Sequence, residues 1–202
     1  MPGVIDWACS QPTGELQREK VIPLASGQVL EVGIGSGKNL PYYDASIVEH
    51  LTGIDPMERL WARKKANLSK LGFEVIYMKD SAECIPFDND SFHTVVSTST
   101  LCSIKNIRKA LREMYRVLKP DGRLLFSEHG RAPDRSLAQR QNLLNSVWKR
   151  IGGGCNLNRD IPGLLREAGF SLDGMTEGYL EGWRPVSYHF WGWAEKVESP
   201  VS

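Results

Sequence analysis

Val29-Leu30-Glu31-Val32 is an apolar, β-branched run that ends in Gly33-Ile34-Gly35-Ser36-Gly37, three glycines at alternate positions. Such a run reads as a buried strand entering a tight turn whose backbone can approach a ligand closely. Eighteen residues beyond Gly37, a second short run (His50-Leu51-Thr52-Gly53-Ile54) ends in Asp55. A carboxylate at the tip of the strand after a glycine loop is the usual partner of a ribose diol in nucleotide-binding α/β sheets. A dinucleotide loop has the form Gly-x-Gly-x-x-Gly, but here position 38 is Lys and the third glycine comes one residue early. The loop does not fit the phosphate-cradling Gly-x-x-x-x-Gly-Lys pattern either, so Lys38 is expected in solvent.

The rest of the chain supplies the sheet that such a loop needs. A helix is expected over Glu15–Leu24, limited by Pro23, as a lid or an outer helix. Pro56 should start a second helix running to about Lys70, with Leu60, Ala62, Ala66 and Leu68 among its apolar residues and Arg63, Lys64 and Lys65 in water. Phe73–Met78 is a third strand, leading into Asp80-Ser81-Ala82. Asp88–Ser91 is turn chemistry, followed by the β-branched strand Phe92–Thr98. Ile107, Leu111, Met114 and Leu118 recur at helical steps, which predicts an amphipathic helix over Ile104–Leu118 that Lys119-Pro120-Asp121-Gly122 stops and turns. Arg123–His129 is the fifth strand. Residues 134–151 read as a helix ended by Gly152-Gly153-Gly154, and Asp160 caps a short helix through Ala168. Two closing strands follow, about 170–180 and 186–196, and Trp183, Tyr188, Phe190, Trp191 and Trp193 are read as their packing. The alternation predicts an α/β chain with a mainly parallel sheet covered on both faces, its ligand beyond the carboxyl ends of the strands. Glu31, the glycine loop, Asp55, Asp80, Thr98 and His129 all fall at or near such ends.

Composition narrows the class further. The 202 residues suit one domain, 1–202, in which 1–27 is the N-terminal segment that precedes the sheet. A net charge of +1 offers no electrostatic case for nucleic acid. Cys9, Cys84, Cys102 and Cys155 are scattered without a Cys-x-x-Cys pair, and the four histidines are isolated. The expectation is therefore reduced thiols, a cytoplasmic protein and no metal site. No signal peptide or run of about 18 apolar residues is visible, so membrane contact is at most peripheral. Oligomeric state is not legible.

Glu31–Gly37, Gly53-Ile54-Asp55-Pro56, Ile85-Pro86-Phe87 and Arg116–Gly122 together resemble the class I S-adenosylmethionine-dependent methyltransferases over roughly residues 18–196. Small quinone-ring C-methyltransferases and phospholipid N-methyltransferases share this framework. Leu101-Cys102-Ser103-Ile104-Lys105-Asn106, Glu128-His129 and Gly154-Cys155-Asn156-Leu157 are similar, more narrowly, to methyltransferase-like proteins that methylate alkyl thiols at membranes. Those relatives carry an apolar N-terminal anchor, which is not seen here. The resemblance implies a Rossmann-like seven-stranded sheet in the order 3-2-1-4-5-7-6 with strand 7 antiparallel. It implies S-adenosylmethionine as cofactor and a small-molecule methyl acceptor, preferably a thiol; a quinone-type carbon or phospholipid amine is the alternative. It also implies roles: Glu31 beside the methionyl end, and Gly33, Ile34, Gly35 and Gly37 in the cofactor loop. Asp55 would take the ribose hydroxyls, Pro56 and Met57 an adenine face, Asp80, Ser81 and Ala82 the adenine edge, and Thr98 the methionyl group.

Methyl transfer is an in-line displacement at carbon, in which the protein positions, dries and, where needed, deprotonates the acceptor. A thiol of pKa about 8.5 is only a few per cent thiolate at neutral pH, so a modest base suffices. His129 is the candidate base. Cys102, Cys155 and Asn156 are candidates for the acceptor pocket, with a buried structural cysteine and a loop-folding Asn as the alternatives. A nicotinamide-dependent oxidoreductase is opposed by the early third glycine. A non-catalytic protein that only binds the cofactor is the reading from another functional class.

Overall fold

The computed structural model describes residues 12–64 and 67–197. Cys9, Lys65, Ala66 and the first part of the 1–27 segment lie outside those residues. The chain opens with α1 (Pro12–Val21), a one-turn 3-10 extension at Ile22–Leu24, and β1 (Gly27–Val32). Then follow β2 (Val48–Ile54), α2 (Glu58–Trp61), β3 (Glu74–Met78), β4 (Phe92–Thr98), α3 (Ile107–Val117) and β5 (Leu118–His129). The chain finishes with α4 (Arg135–Ile151), α5 (Ile161–Glu167), β6 (Phe170–Tyr179) and β7 (Tyr188–Lys196). The sheet has seven strands in the order β3-β2-β1-β4-β5-β7-β6. β1 through β5 pair in parallel, and β7 runs antiparallel to both β5 and β6. This is the expected architecture.

Alternation along the central strands explains why both faces are covered. Leu30, Val32, Val95, Leu124 and Phe126 face one way, onto Ala110, Leu111, Met114 and Val117 of α3 and Ile161 and Leu165 of α5. Val29, Val96 and Leu125 face the other way, with Val21, Ile22, Leu40 and Tyr43. Leu111 and Met114 are fully buried, and each contributes about 1.5–3 kcal/mol through the area it removes from water. Asn106 starts α3 by accepting from the Lys109 N–H at 3.2 Å, which is why the helix begins three residues later than its apolar pattern suggests.

Two local expectations are corrected. The helix expected over residues 56–70 is only the four residues of α2. Beyond Trp61 the chain has no apolar stripe to bury, since Ala62 and Arg63 are exposed, and a short helix without packing is marginal in water. Asn67 instead accepts from Ser69 N–H at 3.2 Å and folds a separate 3-10 turn at Leu68–Lys70. The stop at Lys119–Gly122 is likewise not a turn between elements. β5 already pairs at Leu118 with Phe92 and resumes at Arg123 with Thr94, so these four residues form an excursion within the strand. Among the described residues, no helix is long and apolar enough to cross a membrane.

Candidate active site

A cavity of about 380 Å³ opens at the carboxyl ends of β1, β2, β3 and β4. Its wall includes Glu31, Gly33, Ile34 and Gly35 from β1 and its loop, and Asp55, Pro56 and Met57 from the tip of β2. Asp80, Ser81 and Ala82 follow β3, and Thr98 ends β4. Four strand ends converge because parallel strands with helical crossovers all point their carboxyl ends the same way. Gly33, at φ +76°, is required there by packing as well as by the turn: a Cβ would meet Thr100 Oγ1 at 2.2 Å. Gly37 turns the chain without lining the cavity, and one expectation fails: Lys38 is half-buried on the wall rather than in solvent.

Asp55 is 6% exposed, and its carboxylate organises the loop. Oδ2 accepts from Gly35 N–H at 3.1 Å and Oδ1 from Met57 N–H at 2.7 Å. Each oxygen keeps a further acceptor site. Burial pushes its pKa up, against the two backbone bonds that pull it down. Tyr77 donates to the Asp55 carbonyl at 2.8 Å and stacks on Trp61 at 5.2 Å, fixing the strand tip from below.

Glu31 is 2% exposed, and its two oxygens are already engaged. Asn39 Nδ2 donates to Oε1 at 2.9 Å and Tyr43 OH to Oε2 at 2.8 Å. Burial raises Glu31 to about 7, with those two hydrogen bonds opposing. Asn39 also donates to Thr98 Oγ1 at 3.0 Å and accepts from Arg18 Nε at 3.0 Å. Arg18, on α1, is 4% exposed and lines the cavity. The N-terminal helix is therefore part of the wall. Arg18, Asn39 and Tyr43 were not legible as site residues: nothing in their spacing ties them to Glu31, and only the fold brings them together.

The acceptor-side candidates gather elsewhere. His129, Cys102, Cys155 and Asn156 do not line the cavity; their neighbours Thr100, Ser103 and Gly153 do. His129 Nε2 lies 3.1 Å from Cys155 Sγ, and its buried Nδ1 has no partner. Cys102, His129 and Cys155, isolated in sequence, place their sulfur and ring-nitrogen atoms within 4.8 Å of one another. Cys155 is drawn down to about 4, first by its bond with Cys102 and then by the His129 charge, with burial opposing. Burial alone would lower His129, but the charge and hydrogen bond of Cys155 outweigh it and the net shift is upward. Asn156 Nδ2 donates to the carbonyls of Cys102 (2.8 Å) and Gly154 (3.0 Å), so it folds the loop. Glu128, fully buried, accepts from Ser97 Oγ and the N–H groups of Thr100 and Leu101. It thereby holds the loop after β4 against the cavity.

A glycine loop, a strand-tip Asp, a buried Glu and an Arg around one cavity, on this strand order, define an S-adenosylmethionine-dependent methyltransferase. The donor set fits that cofactor: carboxylates for a ribose diol and a cationic sulfonium and amine, and a guanidinium for an α-carboxylate. A family model described as a methyltransferase domain matches residues 30–126. The thiol S-methyltransferase TMT1B of Rattus norvegicus is 34% identical over 175 residues, covering 83% of this chain and 70% of that protein. The thiol S-methyltransferase TMT1A of Homo sapiens is 32% identical over 181 residues, covering 86% and 72%. The crystal structure of a putative methyltransferase from Bacillus halodurans superposes with a TM-score of 0.68 at 20% identity, covering 89% of this chain and 94% of that one, a likeness of fold. The chain belongs to the S-adenosylmethionine-dependent methyltransferase family.

Proposed function

We propose that the enzyme methylates the sulfur of a small thiol. The observation that carries this reading is the identity of about one third, spread over more than four-fifths of the chain, with proteins named for that reaction. The bound cofactor supplies an activated methyl group on a sulfonium. Asp55 holds the ribose, Arg18 the α-carboxylate, and Glu31, through its own charge and through Asn39, favours the cationic end. The Asp80–Ala82 segment borders the adenine edge. Fixing acceptor and methyl donor in line supplies as much as about 7–11 kcal/mol of the barrier reduction.

His129 is the proton acceptor in this reading. With Nε2–H donated to the Cys155 sulfur, the unpartnered Nδ1 carries the lone pair that takes the thiol proton. The Cys155 thiolate then stabilises the imidazolium as a buried carboxylate does in a Ser-His-Asp triad. The sulfonium would supply the methyl carbon to the acceptor thiolate, so that two opposite charges would cancel. A dry pocket favours such a charge-neutralising step. The test is methyl-labelled cofactor offered to matched panels of small thiols, quinols and amines. Labelled thioethers support the assignment; label only on amines or on ring carbon overturns it while leaving the methyltransferase class intact.

A further inference from the structure

The cluster of Cys102, His129 and Cys155 has a geometry of its own, whatever the acceptor. Around tetrahedral zinc, a nitrogen and a sulfur ligand stand about 3.6 Å apart. The 3.1 Å between His129 Nε2 and Cys155 Sγ is instead a hydrogen bond. The two cysteine segments are docked backbone to backbone, since Asn156 N–H donates to the Cys102 carbonyl at 2.9 Å. Both sulfurs lie within the same 4.8 Å cluster. Cys102 is buried whereas Cys155 is half-buried, two residues from the cavity-lining Gly153, so an oxidant reaches Cys155 first. A reactive thiol of this kind combines thiolate character, access and a neighbouring thiol to resolve it, and Cys155 has all three.

We propose that Cys155 is a redox modification site that takes a hydroperoxide, with Cys102 as its resolving thiol. The Cys155 sulfur attacks the peroxide: an S–O bond forms, the O–O bond breaks, and the departing oxygen leaves as water (or an alcohol) with a proton passed through His129. The Cys102 sulfur then attacks the sulfenic sulfur, an S–S bond forms and the S–O bond breaks, and a second water carries off the oxygen and the Cys102 proton. Two thiols are oxidised to one disulfide as one peroxide is reduced. The product ties the loop after β4 to the loop after α4 and removes the charge beside His129; on the thiol-methylation reading this also disables the base.

The test treats the full chain with a stoichiometric amount of hydrogen peroxide, followed by intact mass and peptide mapping. The expected result is a product lighter by two hydrogens, mapped to Cys102–Cys155 and restored by dithiothreitol. Cys102→Ser should stop at a sulfenic acid on Cys155 that dimedone captures, and Cys155→Ser should give neither product. His129→Asn should slow Cys155 oxidation more than about tenfold. The exposed Cys84 is the internal reference: oxidation of Cys84 as fast as Cys155 overturns the proposal. So does one equivalent of zinc in the purified enzyme that is lost with Cys155→Ser, which would assign the cluster to a metal.

Discussion

The two halves of the active site are built in opposite ways. On the cofactor side, the chain supplies the cavity wall as it leaves each strand: Gly33–Gly35, Asp55–Met57 and Asp80–Ala82 are contiguous stretches. On the proposed acceptor side, Cys102, His129 and Cys155 come from the loop after β4, the end of β5 and the loop after α4. These are held together by buried polar bonds such as those of Glu128 and Asn156. A binding face made from strand tips follows from the topology, whereas the other face needs every tertiary contact to be right. Substitutions on the first side should therefore act on cofactor affinity, and on the second side on turnover.

The largest effect tests the first half of that contrast. Asp55→Ala removes the acceptor for Gly35 N–H, Met57 N–H and the ribose, with hydrogen bonds to a charged group contributing about 1.5–3 kcal/mol each. Calorimetric titration should show cofactor binding weakened at least ~100-fold, since ~1.4 kcal/mol is a factor of ten. Asp55→Asn, which keeps the shape, should still lose about tenfold. His129→Ala tests the other half: kcat falls more than about tenfold while the cofactor Kd stays put. The rate of the wild type should rise with pH through a pKa above 6.5, because the base works unprotonated and Cys155 raises that pKa. Glu128, Arg159 and His189 also face the ring, and His189, pushed down to about 3 by burial, stays neutral across the window. A pH profile unchanged in His129→Ala removes the imidazole from the chemistry.

That same contrast explains what could be read in advance. Strand ends were legible because one local pattern, an apolar run and then a turn residue with a polar side chain, marks the strand tips, whereas the strand order followed from the family resemblance; eleven of the twelve positions expected at the cofactor line the cavity. The short α2 was not legible, because Leu60, Ala62 and Leu68 mimic one stripe, whereas Ala62 is exposed and Leu68 reaches the core from a separate 3-10 turn. Glu31 lines the cavity, where its bonds to Asn39 and Tyr43 make it an organiser of its neighbours. His129, Cys102 and Cys155 were singled out one by one through the family resemblance, but neither their meeting in one cluster nor the place of Arg18 in the wall had a local signal: Arg18 meets Asn39 21 positions on and His129 meets Cys155 26 positions on, with only the fold to relate them.

Two intermediate effects sharpen the boundary between the halves. Arg18 belongs to α1 yet touches the cofactor network, so Arg18→Leu should weaken cofactor binding about tenfold, the value of one charge-assisted contact. If α1 is only a cover, affinity will not move. Glu31 makes the cofactor side pH-sensitive. Its folded pKa of about 7 lies above the ordinary 4.5, so its protonated form favours the fold, fully below about pH 4.5, and that contribution is lost as pH rises through 7. A cationic ligand favours the ionised form instead. Cofactor affinity should therefore rise several-fold from about pH 6 to 8 with proton release. Glu31→Gln should flatten that slope and be the more heat-stable protein at the upper end.

The smallest effect is the most discriminating, because it separates the turn from the site. Gly37 sits in the glycine loop at φ +70° but points away from the cavity, where an added Cβ would meet Leu40 Cδ1 at 2.7 Å. Leu40 is fully buried against the sheet, so it has little room to yield. Gly37→Ala should cost about 1–2 kcal/mol of stability from the left-handed backbone alone, lowering Tm by ~2–8 °C for a chain of this size. Cofactor affinity, measured well below that Tm, should change less than about twofold, under half a kcal/mol. A loss of affinity as large as that of Asp55→Asn would mean that the third glycine shapes the nucleoside pocket after all.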